Sequence, residues 1–450
     1  MSNSTILFYM KRGTKLLIAA GLACAVAAAC AVTADISSPQ ARDAASKIER
    51  AMSEYRGGRP GPSDSGDADA RLFAQAYQRV QSNYVRPIED EALILAAQTG
   101  MREAYPDPAV ATDSQLIEAA INGMMHSLDD YSVYLDKAGY SKLHQEINGT
   151  FGGLGIEIKK DPTGLEVISP IDGTPAMRAG LKPGDRLTHA DGSSLAELSL
   201  RESVELLRGA PGTTVVVTVA RSGMPSFDVP LTREIIRIQR VRARLEDNVA
   251  YLRITHFVRD TGLALRREMI RLKEEAGPGN LRGYVVDLRS NPGGLLEESI
   301  DVAGAFLSGG LVVSTRSRKS SQEFRADLAD PSEGLPVVVL INQGSASASE
   351  IVAGAIKYRD RGLVVGQKSY GKGSVQTTFE FHGGGGLKLT TALYYTPSGK
   401  SVDGGIEPNV DAVDNPDTEE VDEALQVALD LVRNAGGSHS VLWNSGTFKN

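Results

Sequence analysis

The spacing of apolar residues changes character several times along the chain. Leu16 to Ala34 is a continuous uncharged run. Further on, Phe73, Tyr77, Val80 and Tyr84 recur every three or four residues, the period of a helix with one buried face. The stretch "QLIEAAINGMMHSLDDYSVYL", from Gln115, reads as a second amphipathic helix ending in a turn, and core packing accounts for its aromatic residues. From about residue 148 the texture becomes short alternating runs punctuated by glycine: "NGTFGGLGIEIKK", "GLEVISPI", "DRLTHADG" and "TTVVVTVARSG". One helical pattern, "SLRESVELLRG", lies among them, and Pro183-Gly184-Asp185 marks a tight turn. These features predict a small β-rich module. From about 247 come unbroken apolar runs, "GYVVDLR" (283–289), "PVVVLIN" (336–342) and "LVVG" (363–366), as expected of strands covered on both faces. The first two are each followed by a small-residue turn and a helical pattern. Strand, turn, helix and strand in repetition predict an α/β layer with a mostly parallel sheet, whose site lies at the carboxyl ends of its strands.

At 450 residues the chain has room for two or three domains. Lys11, Arg12 and Lys15 precede the Leu16–Ala34 run, and Val32-Thr33-Ala34 offers small residues for a signal peptidase. The run is also long enough for one membrane helix of about 20 residues, so a cleaved signal and an uncleaved N-terminal anchor both remain open. Either way the remainder is expected to be exported, periplasmic, and free or held to the inner membrane. Cys24 and Cys30, the two cysteines, both fall in this leader. The exported body therefore has no disulfide, no thiolate metal site and no cysteine nucleophile. Loss of the leader's three cations takes the net charge from −8 to −11, which does not suggest nucleic acid as a partner. Residues 56–70, "RGGRPGPSDSGDADA", have linker composition and follow a polar helical segment. The tail after 411 is expected to hold one amphipathic helix and then unstructured polar residues.

The stretch "VVGQKSYGKGSVQ" (364–376) nearly spells a phosphate-binding loop. That loop needs Ser or Thr directly after the lysine and a helix beyond it. Here Gly373 follows Lys372, and "SVQTTFEF" alternates like a strand. The alternative is that Lys372 serves a nucleophile as a base made neutral by burial. Candidate nucleophiles are the serines of "GSASASE", on a turn where the first helical N–H groups face developing negative charge. Against this, Ser347 with Glu350 three residues on is also a good capping box, which any stable helix could use. Of six histidines, only His256, in "YLRITHF", stands as a rival base.

Four segments occur in order: "DLRSNPGG" (287–294), "NQGSASASEIVAGA" (342–355), "GQKSYGKGSVQ" (366–376) and "YYTPSGKSVDGGIEPNV" (394–410). Together they resemble the carboxy-terminal processing peptidases, or tail-specific proteases, over about Leu72 to Val410. The β-rich module looks like their PDZ domain. The resemblance implies a multidomain α/β fold: a crotonase/ClpP-like α/β peptidase core, an inserted β-rich PDZ domain and an N-terminal helical region. The expected boundaries are a leader at 1–34, a flexible linker at 35–70 and the helical region at 71–147. The PDZ domain follows at 148–235, the peptidase core at 236–412, and a helix and tail at 413–450.

The resemblance further implies that Ser347 is the nucleophile, Lys372 the general base and Gln376 the residue holding the amine. The backbone N–H groups of Ala348 and of Gly293 or Gly294 would form the oxyanion hole. Gly153, Leu154, Gly155 and Ile156 would line the PDZ groove that takes the apolar C-terminus of a protein substrate as an added strand. No metal, nucleotide or other cofactor is implied. An activating or adaptor protein, and a second copy paired through the N-terminal helices, are partners the sequence leaves open. The competing reading is a PDZ adaptor that binds tails with a catalytically silent peptidase domain.

Overall fold

The computed structural model describes residues 38–58, 66–171, 173–237, 239–327, 329–413 and 422–435. The leader with both its cysteines, most of the "RGGRPGPS" segment and the end of the tail lie outside the described residues. The chain divides into two units, one comprising the described residues through Ser82 with Ile88–Leu128, the other Asn83–Pro87 with the described residues from Asp129 onward. Among the described residues no helix is long and apolar enough to cross a membrane.

The first unit is helical: α1 (Pro39–Tyr55), α2 (Gly66–Asn83), α3 (Asp90–Ala104) and α4 (Asp113–His126). The linker expected over 35–70 is corrected here, because 39–55 is a capped helix and α2 already begins at Gly66. Ser38 caps α1 by accepting the Ala41 N–H at 3.1 Å, ahead of Pro39 in the first turn. A stripe of Ala41, Ala44, Ala45, Ile48, Ala51 and Met52 is buried, which a polar average composition conceals. Phe73, Tyr77 and Val80 of α2 are buried as their spacing predicts. Helices α3 and α4 cross where Gly100 meets Gly123, and a Cβ on Gly100 would come within 2.5 Å of the Gly123 Cα.

The second unit begins with β1 (Val133–Leu135) and α5 (Lys137–Ile147). "SVYL" is thus a strand where the sequence suggested a turn, and three residues are too few to show a period. Next come β2 (Thr150–Gly153), β3 (Ile156–Asp161), β4 (Gly164–Pro170), α6 (Pro175–Arg178), β5 (Arg186–Ala190) and β6 (Ser193–Ser194). They are followed by α7 (Leu200–Leu207), β7 (Thr214–Ala220), β8 (Phe227–Thr232) and β9 (Glu234–Arg237). Strands β3-β4-β5-β7-β8 form one sheet, with β6 on β5 and β3 at an edge. Leu165, Val167, Leu187, Val217 and Val219 fill the core of this module. Its entry and exit are joined as a two-stranded ribbon, β2 antiparallel to β9 from Thr150↔Arg237 to Gly153↔Glu234.

The remaining elements are β10 (Val241–Glu246), β11 (Val249–Ile254), α8 (Thr261–Ala276), β12 (Gly283–Asp287), α9 (Leu296–Gly304), β13 (Gly310–Arg316) and β14 (Ser321–Ala326). Then follow β15 (Val337–Ile341), α10 (Ala348–Tyr358), β16 (Leu363–Gly366), β17 (Ser374–Glu380), β18 (Gly386–Tyr395), β19 (Val410–Asp411) and α11 (Glu423–Ala435). The central sheet runs β10-β11-β12-β15-β16-β19, parallel throughout except at β10–β11. Its strands are apolar without interruption because alternate residues enter different cores. Leu252, Val286, Val339 and Ile341 pack with α8, α9 and α10, while Tyr251, Val285, Val338 and Leu340 pack with α11. A second sheet orders β1-β18-β13-β14 with β17 also on β18, so residues preceding the PDZ-like module pair with a strand far beyond it.

Candidate active site

Three loops meet at the carboxyl ends of β12, β15 and β16: residues 288–295, 342–347 and 367–373. The first two are stitched together by side chains. Ser345 Oγ donates to the Leu288 carbonyl at 2.8 Å, and Ser349 Oγ donates to the Asn291 carbonyl at 2.9 Å. The Ser290 N–H donates to Asn342 Oδ1 at 2.7 Å. Asn291, fully buried, donates to the Ile254 carbonyl at 2.9 Å and accepts the Gly293 N–H at 2.9 Å. Two of the three serines in the turn are therefore structural.

Ser347 differs from both. It stands at the N-cap of α10, but with φ 53° and ψ −113°, whereas Ser38, Thr112 and Ser199 cap their helices from extended backbone. A non-glycine residue in that region carries strain that the surrounding packing must hold. Capping alone gives no reason for it. Ser347 is 9% exposed, against 0% for Ser345 and Ser349, so it keeps a small opening to solvent.

Glu350 ties this turn to the lysine loop. Its carboxylate, fully buried, accepts the Ser347 N–H at 2.7 Å and the Lys372 N–H at 2.9 Å on Oε2. Oε1 accepts the Gly371 N–H at 2.6 Å and the Ser369 hydroxyl at 2.6 Å. Burial pushes the Glu350 carboxyl above its ordinary value, against the pull of these four hydrogen bonds. The sequence revealed Glu350 only as a capping residue. Its second set of partners comes from a loop more than one element away and leaves no local signal.

Lys372 is half-buried. Burial, then the Lys388 ammonium, hold its amine below the usual lysine value, and Asp129 and Glu350 oppose them. Its Nζ lies over the Tyr131 ring, 4.4 Å from the centroid. No hydrogen bond joins it to Ser347 among the described residues. Gln376 does not hold the amine in this arrangement either: its Nε2 donates to Ser374 Oγ at 2.9 Å and Thr390 Oγ1 at 3.3 Å. The expected Lys372–Gln376 contact is thus replaced by a bond to β18.

The two candidate oxyanion glycines separate cleanly. Gly293 crowds the serine, since a Cβ there would lie 2.8 Å from the Ser347 Cβ and 2.9 Å from the Ala348 nitrogen. Its own N–H, however, is committed to Asn291. Gly294 lies in a parallel bridge with Phe257, and its N–H, like that of Ala348, has no acceptor among the described residues. His256 is exposed, and none of the bonds that tie the serine turn to the lysine loop involves it.

In the module, Gly153, Leu154 and Gly155 are buried, and only Ile156 is partly open. The Leu154 side chain belongs to the module's core, so only its backbone is left to line a groove. Its carbonyl accepts the Ala176 N–H at 3.0 Å, and the Gly155 carbonyl accepts the Ile171 N–H at 2.8 Å. What the loop can offer a tail is backbone: the Leu154 and Gly155 N–H groups donate to no described residue.

Comparison with known proteins agrees with this architecture. The sequence model of peptidase family S41 matches residues 248–412, and a PDZ domain model matches residues 166–221. The carboxy-terminal-processing protease of Bartonella bacilliformis is 44% identical over 342 residues, 75% of this chain and 74% of that protein. The carboxy-terminal processing protease CtpA of Bacillus subtilis is 31% identical over 352 residues, 77% of this chain and 70% of that protein. Among solved structures, the photosystem II D1 C-terminal processing protease superposes with a TM-score of 0.51 at 27% identity, covering 83% of this chain and 99% of that one.

Proposed function

Because the chain belongs to peptidase family S41 and is a serine-type carboxy-terminal-processing protease, we propose that Ser347 is its nucleophile and Lys372 its general base. Ser347 Oγ attacks the scissile carbonyl carbon and passes its proton to neutral Lys372 Nζ. The N–H groups of Ala348 and Gly294 receive the oxyanion. Lys372 then protonates the leaving amine, and it accepts a proton from the water that hydrolyses the Ser347 ester. The observation that carries this reading is Glu350, whose one carboxylate oxygen binds the N–H groups of both Ser347 and Lys372. A capping role alone would not tie the serine turn to the lysine loop.

The β3 edge and the free N–H groups of Leu154 and Gly155 suit strand addition by an extended tail whose terminal carboxylate meets the loop. The substrates in this reading are exported proteins with apolar C-termini, consistent with the basic flank and apolar run at residues 11–34. The test incubates an unfolded model protein bearing an apolar C-terminus with the parent and with Ser347→Ala, in EDTA and without nucleotide. Cleavage by the parent alone is expected. Tight tail binding by both with cleavage by neither would transfer the function to a PDZ adaptor. Cleavage by Ser347→Ala would refute the nucleophile.

A further inference from the structure

The turn before β1 takes no part in the chemistry above, yet it supplies the surface on which the lysine rests. Asp129 Oδ1 accepts the N–H groups of Tyr131 and Ser132, each at 2.8 Å. The fully buried Ser132 hydroxyl donates to Asp129 Oδ2 at 3.1 Å and accepts the Thr390 N–H at 3.1 Å. Thr390 Oγ1 in turn accepts from Gln376 Nε2. One polar chain thus runs from the turn to the strand beside Lys372. At its far end the Tyr131 hydroxyl lies near Tyr370, and that phenol, together with burial, holds the Tyr131 hydroxyl above its ordinary pKa.

Four further groups bear on the lysine. Lys388 on β18 repels its charge, Asp129 in the turn and Glu350 on α10 attract it, and Tyr370 lies two residues away in its own loop. An aromatic face adds an attraction for the ammonium that it does not offer the neutral amine. We infer that Tyr131 is a positioning residue for the base: its ring parks the Lys372 ammonium away from Ser347 and lets the amine go once the proton has left. This rests on Lys372 being the base. It makes the ring one of the groups that set the pH at which the enzyme becomes active.

The test is the pH profile of kcat/KM, whose acid limb reports the base in the free enzyme. The variants, in the full chain, are Tyr131→Phe, fluorinated phenylalanines at the same position, and Tyr131→Leu. Fluorination weakens the ring face while keeping its shape, so the series does not depend on the leucine variant folding. Tyr131→Phe should leave the limb in place. Successive fluorination should move it steadily to lower pH, by about half a unit in total for a cation–π contact of ordinary strength, and Tyr131→Leu should move it furthest. A limb that stays fixed through the fluorinated series, while Lys372→Ala is inactive, overturns the inference and leaves the base assignment intact. So does a shift in Tyr131→Phe as large as in Tyr131→Leu, which would assign the effect to the hydroxyl. Full activity in Lys372→Ala would overturn the base assignment, and this inference with it.

Discussion

Glu350→Gln isolates the carboxylate that bonds to both the serine turn and the lysine loop. Glutamine keeps the volume but has a single acceptor oxygen. If that oxygen faces Ser347 and Lys372, the amide NH2 meets the Ser369 hydroxyl, which can turn to accept, and the Gly371 N–H, which cannot. This is the better orientation and it leaves one half-buried backbone donor unpaired, at a cost of about 1 kcal/mol, the low end for such a group. A partial offset comes from charge. Burial raises the folded-state pKa of Glu350, so at neutral pH the ionised form costs stability that a neutral amide does not. The net loss of stability should therefore be small, about 1 kcal/mol or less. The effect on rate should be larger, because freeing Gly371 loosens the loop carrying Lys372, and a misplacement of about 1 Å costs roughly a hundredfold. The assay is kcat/KM on an unfolded protein with an apolar C-terminus, paired with a thermal melt of the same preparation. A variant within threefold of the parent in kcat/KM would show that the carboxylate does not set the register of the two loops.

Three further outcomes are expected. Gly293→Ala places a methyl 2.8 Å from the Ser347 Cβ at φ +104°, so turnover should fall about a hundredfold or more, and an unchanged single-turnover rate would count against the position assigned to the oxyanion. Asp422→Asn weakens the link from Arg289, in the first loop, to the start of α11, where the guanidinium meets Asp422 at 2.7 and 2.8 Å. Because Asp422 is 39% exposed, the loss should stay below about 1 kcal/mol, with faster amide exchange in α11 as its signature; exchange matching the parent would refute the link. In the parent, kcat/KM should rise with pH as Lys372 loses its proton, with the midpoint below the ordinary lysine value of 10.5. A midpoint at or above it would contradict the burial of the amine.

The parallel sheet was legible because its strands are buried on both faces, and each continuous apolar run such as "PVVVLI" leaves little else for the chain to do. The serine turn and the lysine loop were legible as small-residue segments directly after those runs. Spacing alone could not choose among Ser345, Ser347 and Ser349. The choice turns on where each hydroxyl goes, and the Leu288 and Asn291 carbonyls that occupy two of them lie in another loop. Gly293 and Gly294 were inseparable in sequence for the same reason, since the acceptor that takes the Gly293 N–H, Asn291 Oδ1, is known only from the fold. Helix α1 was read as a polar helical segment and enclosed in the 35–70 linker because its buried stripe is mostly alanine, which barely moves an average hydropathy. Tyr131 was read as part of a turn, and its contact with Lys372 spans most of the chain.

The pairing of β1 with β18 bears on the order in which the molecule can assemble. Val133 and its partner Lys388 stand on either side of the inserted module and nearly all of the central sheet. Joining strands so distant costs loop entropy that no local contact repays, so such pairings tend to come late in folding. The module, closed by its own β2–β9 ribbon, is under no such constraint. A chain interrupted after β9 but before β18 could therefore hold a folded module while Tyr131, Thr390 and Gln376 had yet to meet around Lys372. The delay would keep an unfinished protease inert until almost its whole length had been made.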